Sequence, residues 1–250
     1  MEVVEVLGIS LSPVVFIFTY VYLLDKYERE PLIYLFITFG FGVLIAWPVL
    51  YIGGELQALT GVFPAPEYPF RTLIYAFIVV ALVEESMKYL VLRWYNYPHP
   101  EFDEPYDGIM YGVAVSLGFA AIENILYVYQ AEGDALQTGL VRMVTAVPAH
   151  AVFGVLMGYF VGKAKFTHSK KQAYIERMKG LGIAIFFHGL YDYCLFLGNV
   201  HVAFFALFSL GLGLLLAQRA MHLHAEISPH KQSYCHPTES GSEDGPVQQD

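Results

Sequence analysis

Three ionisable residues lie close together in an otherwise apolar part of the chain, in the order Glu84-Glu85-Ser86-Met87-Lys88. Glu84 and Lys88 are four residues apart, so they share one face of a helix, with the glutamate first, which is the favourable order. Glu85 lies about 100° further round the same helix. Carboxylates in such a position can act as general acids or bases, and the lysine can neutralise one of them or hold it in place.

Further ionisable residues occur on later apolar stretches, at Glu123, His150, His188 and Asp192. Two histidines and one carboxylate with an open fourth position form a catalytic zinc pattern. Glu123, His150 and His188 are therefore candidate metal ligands, although the chain has no His-Glu-x-x-His motif and zinc is inferred from residue type alone. Asp192 follows His188 by one helical turn, so its carboxylate can accept a ring N–H and fix the imidazole.

The segments that carry these residues are apolar enough to cross a membrane. The chain of 250 residues is 56% hydrophobic and 15% charged, with a mean hydropathy of +0.48, whereas soluble domains carry about 25% charged residues. The net charge of -9 does not indicate a soluble acidic protein, because much of the acidity lies near the two ends. Apolar runs of about 18 residues or more predict about seven spans, near residues 6–24, 31–52, 70–92, 108–129, 140–162, 180–197 and 200–218.

We therefore predict an all-α fold, a polytopic transmembrane helix bundle over residues 1–225, followed by a disordered polar tail over residues 226–250. Lys and Arg are concentrated after the odd-numbered spans, while only Arg71 and Arg142 follow the even-numbered ones. This bias predicts an N-terminus outside and a C-terminus in the cytoplasm, in the inner or plasma membrane. Small-residue stripes predict close helix packing at Gly108, Gly112, Gly154, Gly158 and Gly162.

The buried ionisable residues fall at similar depths in their spans. A charge at the bilayer centre costs roughly 2.5–3.5 kcal/mol, so such residues need partners and indicate function. At a rise of ~1.5 Å per residue, Glu84, Glu123, His150 and His188 all come near the middle of their helices. Scattered polar residues need not agree in depth, so the agreement predicts one site near the midplane, with Pro148 kinking the helix beside His150.

The motifs Glu-Glu-x-x-Lys, Phe-x-x-x-Glu-Asn and His-x-x-x-Asp, in this order on successive spans, resemble the PrsW family of intramembrane proteases over about residues 1–220. That family belongs to a wider group with the CAAX prenyl endopeptidases and the Abi proteins. The CAAX relatives have Glu-Glu-x-x-x-Arg, Phe-x-x-x-His and His-x-x-x-Asn instead, so we do not expect specificity for prenylated peptides. By position, the resemblance implies functional roles for Glu84, Glu85, Lys88, Glu123, His188 and Asp192, with His150 as the histidine of the intervening span.

The resemblance implies an intramembrane endopeptidase that cleaves a membrane-protein substrate, with the first cut in an anti-sigma factor as the reaction known for the family. Two mechanisms are open. Carboxylates can serve as base and acid with a histidine at the oxyanion, or Zn2+ can be bound by Glu123, His150 and His188 with Glu84 as the base. We favour the metal scheme.

Two other classes of function use the same residues. A proton- or metal-ion-conducting transporter also places Glu and His at the midplane, although the sequence has no inverted repeat. A catalytically inactive scaffold that only binds other membrane proteins is the third possibility. The expected partners are the lipid bilayer and a single-pass membrane protein, and no nucleic acid.

Overall fold

The computed structural model describes residues 3–25, 27–131 and 134–229, and these residues form a bundle of helices. Residues 69–96 form one continuous helix, in which α3 and α4 are each followed by a π-helical stretch. The helices are α1 (Val3–Leu24), α2 (Leu32–Thr60), α3 (Pro69–Ile74), α4 (Leu82–Val91), α5 (Pro105–Gln130), α6 (Ala135–Val144), α7 (Ala146–Lys165), α8 (Lys170–Phe196) and α9 (Val200–Glu226).

The described helices include five segments that are long and apolar enough to cross a membrane, at Val4–Leu24, Leu32–Thr60, Pro105–Gln130, Ala135–Lys165 and His201–Glu226. Large apolar side chains such as Phe16 (72% exposed) and Trp47 (70% exposed) cover the outside of the bundle, as contact with lipid requires. The chain is thus a multi-pass membrane protein. The two other predicted spans are also helical, at 69–96 and Lys170–Phe196, but they carry charged residues, and the count of seven stays a prediction.

Helices α5 and α7 form the centre of the bundle and approach each other through glycine. A Cβ atom on Gly112 would lie against the carbonyl oxygen of Gly154. A Cβ atom on Gly158 would lie against the carbonyl oxygen of Gly108 and 2.8 Å from Cα of Ile109. Because the two backbones leave no room for a side chain at these points, the predicted packing role of the glycine stripes is confirmed.

Two π-helical stretches, Tyr75–Ala81 and Leu92–Asn96, flank α4. A π-helical turn holds more residues than an α-helical one, so it rotates every later side chain relative to the start of the helix. Such turns occur often at functional sites. Here the first stretch ends just before Glu84 and Glu85, and it therefore sets the direction in which these carboxylates point.

The predicted span 140–162 is broken into two helices. Helix α6 ends at Val144, and Thr145 has a φ of -121° and a ψ of -74° before α7 begins. Pro148 explains the break, because it has no N–H to bond the Val144 carbonyl and its ring clashes with that group. The predicted kink near Pro148 is confirmed as a break in the helix at Thr145.

Several interhelical junctions are hydrogen-bonded to one another or to a neighbouring helix at one end of the bundle, which we call the junction end (residues 25, 27–31, 96–105, 165–170 and 226–229). The Tyr111 hydroxyl donates to Glu30 Oε2 over 2.6 Å, and Lys165 Nζ donates to the Tyr97 carbonyl. Ser228 Oγ donates to Glu104. The first residues of the predicted tail therefore pack on this end, and the rest of the tail, 230–250, lies outside the described residues.

Candidate active site

The ammonium group of Lys88 lies at the centre of a buried polar network. Its Nζ atom is 2.7 Å from Glu85 Oε1 and 3.4 Å from Glu84 Oε2. The same atom is 3.1 Å from Nδ1 of His150 on α7, and it stands 4.5 Å from the centroid of the Phe119 ring. The predicted pairing of Lys88 with Glu84 is present, and Glu85 is an even closer partner.

His188 on α8 joins the same network through both of its ring nitrogens. Nδ1 is 2.8 Å from Glu85 Oε1, while Nε2 is 3.2 Å from Asp192 Oδ2 and 3.9 Å from Glu84 Oε2. When both nitrogens of the His188 ring carry a proton, each can donate a hydrogen bond to the carboxylate that it faces. The ring of Phe153 stacks on the imidazole with 4.9 Å between centroids. The predicted contact between His188 and Asp192, one turn apart, is therefore present.

Glu123 on α5 holds the outer side of His150. Its Oε2 atom is 2.8 Å from His150 Nε2 and 2.8 Å from Nη2 of Arg142 on α6. Because the ammonium of Lys88 can only donate, Nδ1 of His150 is the acceptor in their contact. The ring proton of a neutral His150 is then on Nε2, and it is donated to Glu123.

The two histidines are held by carboxylates in the same way. Each ring has its Nε2 atom against a carboxylate, Glu123 for His150 and Asp192 for His188. The Nδ1 atoms differ, since that of His150 faces the Lys88 ammonium and that of His188 faces the Glu85 carboxylate. Their ring centroids are 5.3 Å apart. In protein metal sites a carboxylate on the far nitrogen orients the ligand and fixes its tautomer. Glu123 and Asp192 would orient the two rings in this way, and a metal at Nδ1 of His188 would displace the proton that this atom donates to Glu85.

Within the described residues, one group of side chains could hold a metal ion, with a ligand atom from each lying within 4.8 Å of the others. It consists of Glu84, Glu85, His150 and His188, all buried. Histidine nitrogen and carboxylate oxygen are zinc ligands, and Glu85 Oε2 is a buried oxygen with no hydrogen-bond partner. The residues therefore fit a metal ion, which would compete with the Lys88 ammonium for three of the four donor side chains.

The structure connects all the site residues chosen from the sequence into one network: Glu84, Glu85, Lys88, Glu123, His150, His188 and Asp192. The group of possible metal ligands differs from the predicted set in one residue. Glu123 lies on the far side of His150 and outside the group of possible ligands, while Glu85 is a member of that group. The role of Glu123 as a metal ligand stays a prediction.

Two further residues of the network, Arg142 and Asn124, are not among the site residues predicted from the sequence. Arg142 is visible there only as a charge near the end of a span, yet its Nε atom donates to Asn124 Oδ1 over 2.8 Å. Asn124 in turn donates through Nδ2 to the Ser10 carbonyl on α1, over 3.1 Å. The Glu-Asn pair of the second motif was the available signal, because Asn124 directly follows Glu123.

The model of a protein family described as PrsW family intramembrane metalloprotease matches residues 30–217, a range that contains the whole network. The chain belongs to this family. Relatives named Protease PrsW are 39% identical in Geobacillus kaustophilus (strain HTA426), over 76% of this chain and 80% of the relative, and 34% identical in Bacillus subtilis (strain 168), over 76% and 82%. A third, from Clostridioides difficile (strain 630), is 36% identical over 68% of this chain and 71% of its own length. No solved structure matches the chain.

Membership of the PrsW family makes the chain an intramembrane protease, a hydrolase that acts on membrane proteins within the bilayer. The family resemblance predicted from the motifs is confirmed. It also favours proteolysis over the transporter that the same buried residues would suit. The family is described as metalloproteases, which agrees with the buried Glu and His group that could bind a metal.

Proposed function

We propose that the chain cleaves a peptide bond of a membrane-protein substrate at the centre formed by Glu84, Glu85, His150 and His188. The observation that carries this proposal is the pair of histidines, each held by a carboxylate at Nε2, which with Glu84 and Glu85 form a buried group that could hold a metal ion. Peptide hydrolysis needs an activated water and a cation or donor for the developing oxyanion. The site contains carboxylates that can activate a water, and imidazoles and one ammonium group that can donate to the oxyanion.

Glu84 is our choice for the general base. Glu85 is fully buried and held by Lys88 at 2.7 Å and by His188 at 2.8 Å. Glu84 has longer contacts, 3.4 Å to Lys88 and 3.9 Å to His188, and 7% of its side chain is exposed. A carboxylate with weaker contacts and some exposure can turn to a water molecule at smaller cost, whereas Glu85 is better placed to stay fixed.

The metal scheme places Glu85, His150 and His188 as ligands, since two histidines and one carboxylate leave a position open. When bound, zinc would polarise the scissile carbonyl and supply an activated water. Glu123 and Asp192 then orient the two imidazoles from outside. The alternative with Glu123 as the third ligand requires its carboxylate to leave both Arg142 and His150.

We further propose seven spans, with the N-terminus outside and the junction end in the cytoplasm of the cell. The hydrogen bonds among the junctions at that end support an alternating path of the helices. Most of the Lys and Arg residues follow the odd-numbered spans, as the positive-inside rule requires of cytoplasmic segments. The helices 69–96 and Lys170–Phe196 would then cross the membrane with their charged residues turned inward.

The proposed substrate is a single-pass membrane protein, which reaches the buried centre laterally or from outside, and an anti-sigma factor is the specific candidate. We suggest co-reconstituting the purified chain in liposomes with a fluorescently tagged single-pass anti-sigma factor of the same host. Cleavage is compared for wild type, Glu84→Gln and Glu85→Gln. The matched control is Glu55→Gln, because Glu55 is an exposed glutamate of α2.

We expect Glu84→Gln to lower kcat by about 10²–10⁴-fold, as loss of a general base does, and Glu85→Gln to abolish cleavage. The control should cleave as wild type does, and melting curves in detergent identify any variant that has not folded. A chelator should stop cleavage and zinc should restore it. Normal cleavage by both Glu84→Gln and Glu85→Gln would overturn the assignment of the active site. Cleavage that continues in the presence of a chelator would favour the scheme in which carboxylates act alone.

A further inference from the structure

Arg142 joins α6 to the active site through three contacts. Its Nη2 atom is 2.8 Å from Glu123 Oε2, and its Nε atom donates to Asn124 Oδ1 over 2.8 Å. The guanidinium group also stacks on Tyr127, with Cζ 3.9 Å from the ring centroid. Paired, planar contacts of this kind are specific to a guanidinium, since an ammonium group is a single point charge. All three partners lie on α5.

The contact with Glu123 continues to the catalytic centre. One oxygen atom, Glu123 Oε2, receives both Nη2 of Arg142 and Nε2 of His150, each at 2.8 Å. Arg142 therefore restricts where that oxygen can lie, and the oxygen restricts the His150 ring. The Nδ1 atom of His150 faces the centre, 3.1 Å from Lys88 Nζ.

The geometry of α6 explains why Arg142 points inward. Leu140 and Val144, two residues before and after it, are 49% and 66% exposed. Positions two apart on a helix lie about 200° apart, so these side chains occupy the outer face while Arg142 occupies the inner one. The break at Thr145 separates α6 from α7, and α6 is a short helix with an apolar outer face and a cationic contact to the site.

The outer members of the network are more exposed than its centre. The Glu85 and Lys88 side chains are fully buried, whereas those of Glu123 and Arg142 are 21% and 14% exposed. Asp192 is 14% exposed as well. The carboxylates behind both histidines are therefore more accessible than the central Glu85 and Lys88.

We propose that Arg142 is a positioning residue for proteolysis: its guanidinium fixes Glu123 against His150 and thereby ties α6 to the active centre. This inference rests on the function proposed for that centre. Arg142 acts through Glu123 and His150, and it has no contact with the glutamates that carry the chemistry. It follows that its removal should impair turnover more than substrate binding.

The first test measures the contact independently of cleavage. Melting temperatures in detergent are compared for wild type, Arg142→Gln, Glu123→Gln and the double variant, and for the same cycle with Arg71→Gln. Arg71 is a suitable control because it is exposed and stacks on a tyrosine, Tyr68, at 5.1 Å, as Arg142 does on Tyr127. We expect non-additive shifts for Arg142 with Glu123 and additive shifts for Arg71 with Glu123.

The second test measures kcat and KM for cleavage of the tagged anti-sigma factor. We expect Arg142→Gln to lower kcat by up to about 10- to 100-fold, the range for loss of the direct outer partner of a ligand histidine, with KM little changed. Arg142→Lys should recover only part of kcat. Guanidinium ion at a non-denaturing concentration should raise kcat of Arg142→Ala, and a purely structural role predicts no such rescue.

The two possible failures are distinguishable. If wild type cleaves no membrane substrate while the Arg142–Glu123 shifts are non-additive, the proposed function fails and the link between α6 and His150 stands. Additive shifts would overturn the inference whatever the cleavage result. Wild-type kcat in a folded Arg142→Gln protein would also overturn it, because Glu123 would then hold His150 without help.

Discussion

The buried charge of Lys88 allows a quantitative prediction for Lys88→Met, which keeps the volume of the side chain and removes its charge. In the native protein the ammonium lies 2.7 Å from Glu85 and 3.4 Å from Glu84, with the Lys88 and Glu85 side chains fully buried. Removing one partner of a buried ion pair costs about 3–5 kcal/mol, because the other charge is left uncompensated. At about 2–4 °C per kcal/mol for a chain of this size, we expect a fall in melting temperature of about 6–20 °C.

The matched control is Lys179→Met. Lys179 also pairs with a glutamate three residues earlier, Glu176, at 3.0 Å, but its side chain is 49% exposed. The Glu176 side chain is only 1% exposed, but without Lys179 it keeps Gln172 Nε2 at 2.6 Å and Lys163 Nζ at 3.6 Å, so its charge stays compensated. Thermal unfolding in one detergent, with and without a chelator, should therefore show a large shift for Lys88→Met and a small one for Lys179→Met.

Zinc provides the second half of the assay. Because Lys88 contacts three of the four side chains that could hold a metal, a bound cation should replace the missing ammonium in Lys88→Met. Zinc at about a hundred times its dissociation constant stabilises a protein by about 2.7 kcal/mol, so much of the lost stability should return. If Lys88→Met is as stable as Lys179→Met, the argument that Lys88 compensates a buried carboxylate is wrong. If Lys88→Met is destabilised and zinc does not restore its stability, the argument that Lys88 and a metal share the same donor side chains is wrong.

Two further predictions concern packing and pH. Gly158→Ala should destabilise the protein in chemical or thermal unfolding, since its Cβ would meet the Gly108 backbone, while Gly211→Ala, with no atom within 4 Å, should not. Burial raises the pKa of Asp25 and of Glu30 to about 8, whereas unfolded carboxyls titrate near pH 4. The folded protein then keeps protons that the unfolded chain loses, so stability should fall as pH rises from about 4 to about 8. Asp25→Asn with Glu30→Gln should flatten this slope in melting curves, and an unchanged slope would contradict the assignment.

The depth of the site in the fold could be predicted from the sequence because helical rise is regular. Counting residues along apolar runs brought Glu84, Glu123, His150 and His188 to a common level, and the structure joins them in one network. The glycine stripes were equally readable, since only close backbone approach explains them. Both features depend on local geometry repeated along one helix.

The partners of each residue could not be predicted in the same way. Which oxygen of Glu85 faces His188, and which nitrogen of His150 faces Glu123, depends on the rotation of neighbouring helices. The π-helical stretch before α4 changes that rotation without any clear sequence signal. Arg142 escaped for a related reason: its contacts with Glu123, Asn124 and Tyr127 depend on how α6 packs on α5, which spacing along one helix cannot reveal.

The balance of charge in the network explains how it can lie within a membrane. Among the described residues it contains four carboxylates, Glu84, Glu85, Glu123 and Asp192, and two permanent cations, Lys88 and Arg142. The two nitrogens of His188 each face a carboxylate, so a second proton on that ring supplies part of the missing positive charge. A metal ion on the same donors would supply it instead. Proton, ammonium and metal are thus alternatives for one electrostatic need, and for this reason the stability of Lys88→Met should depend on zinc.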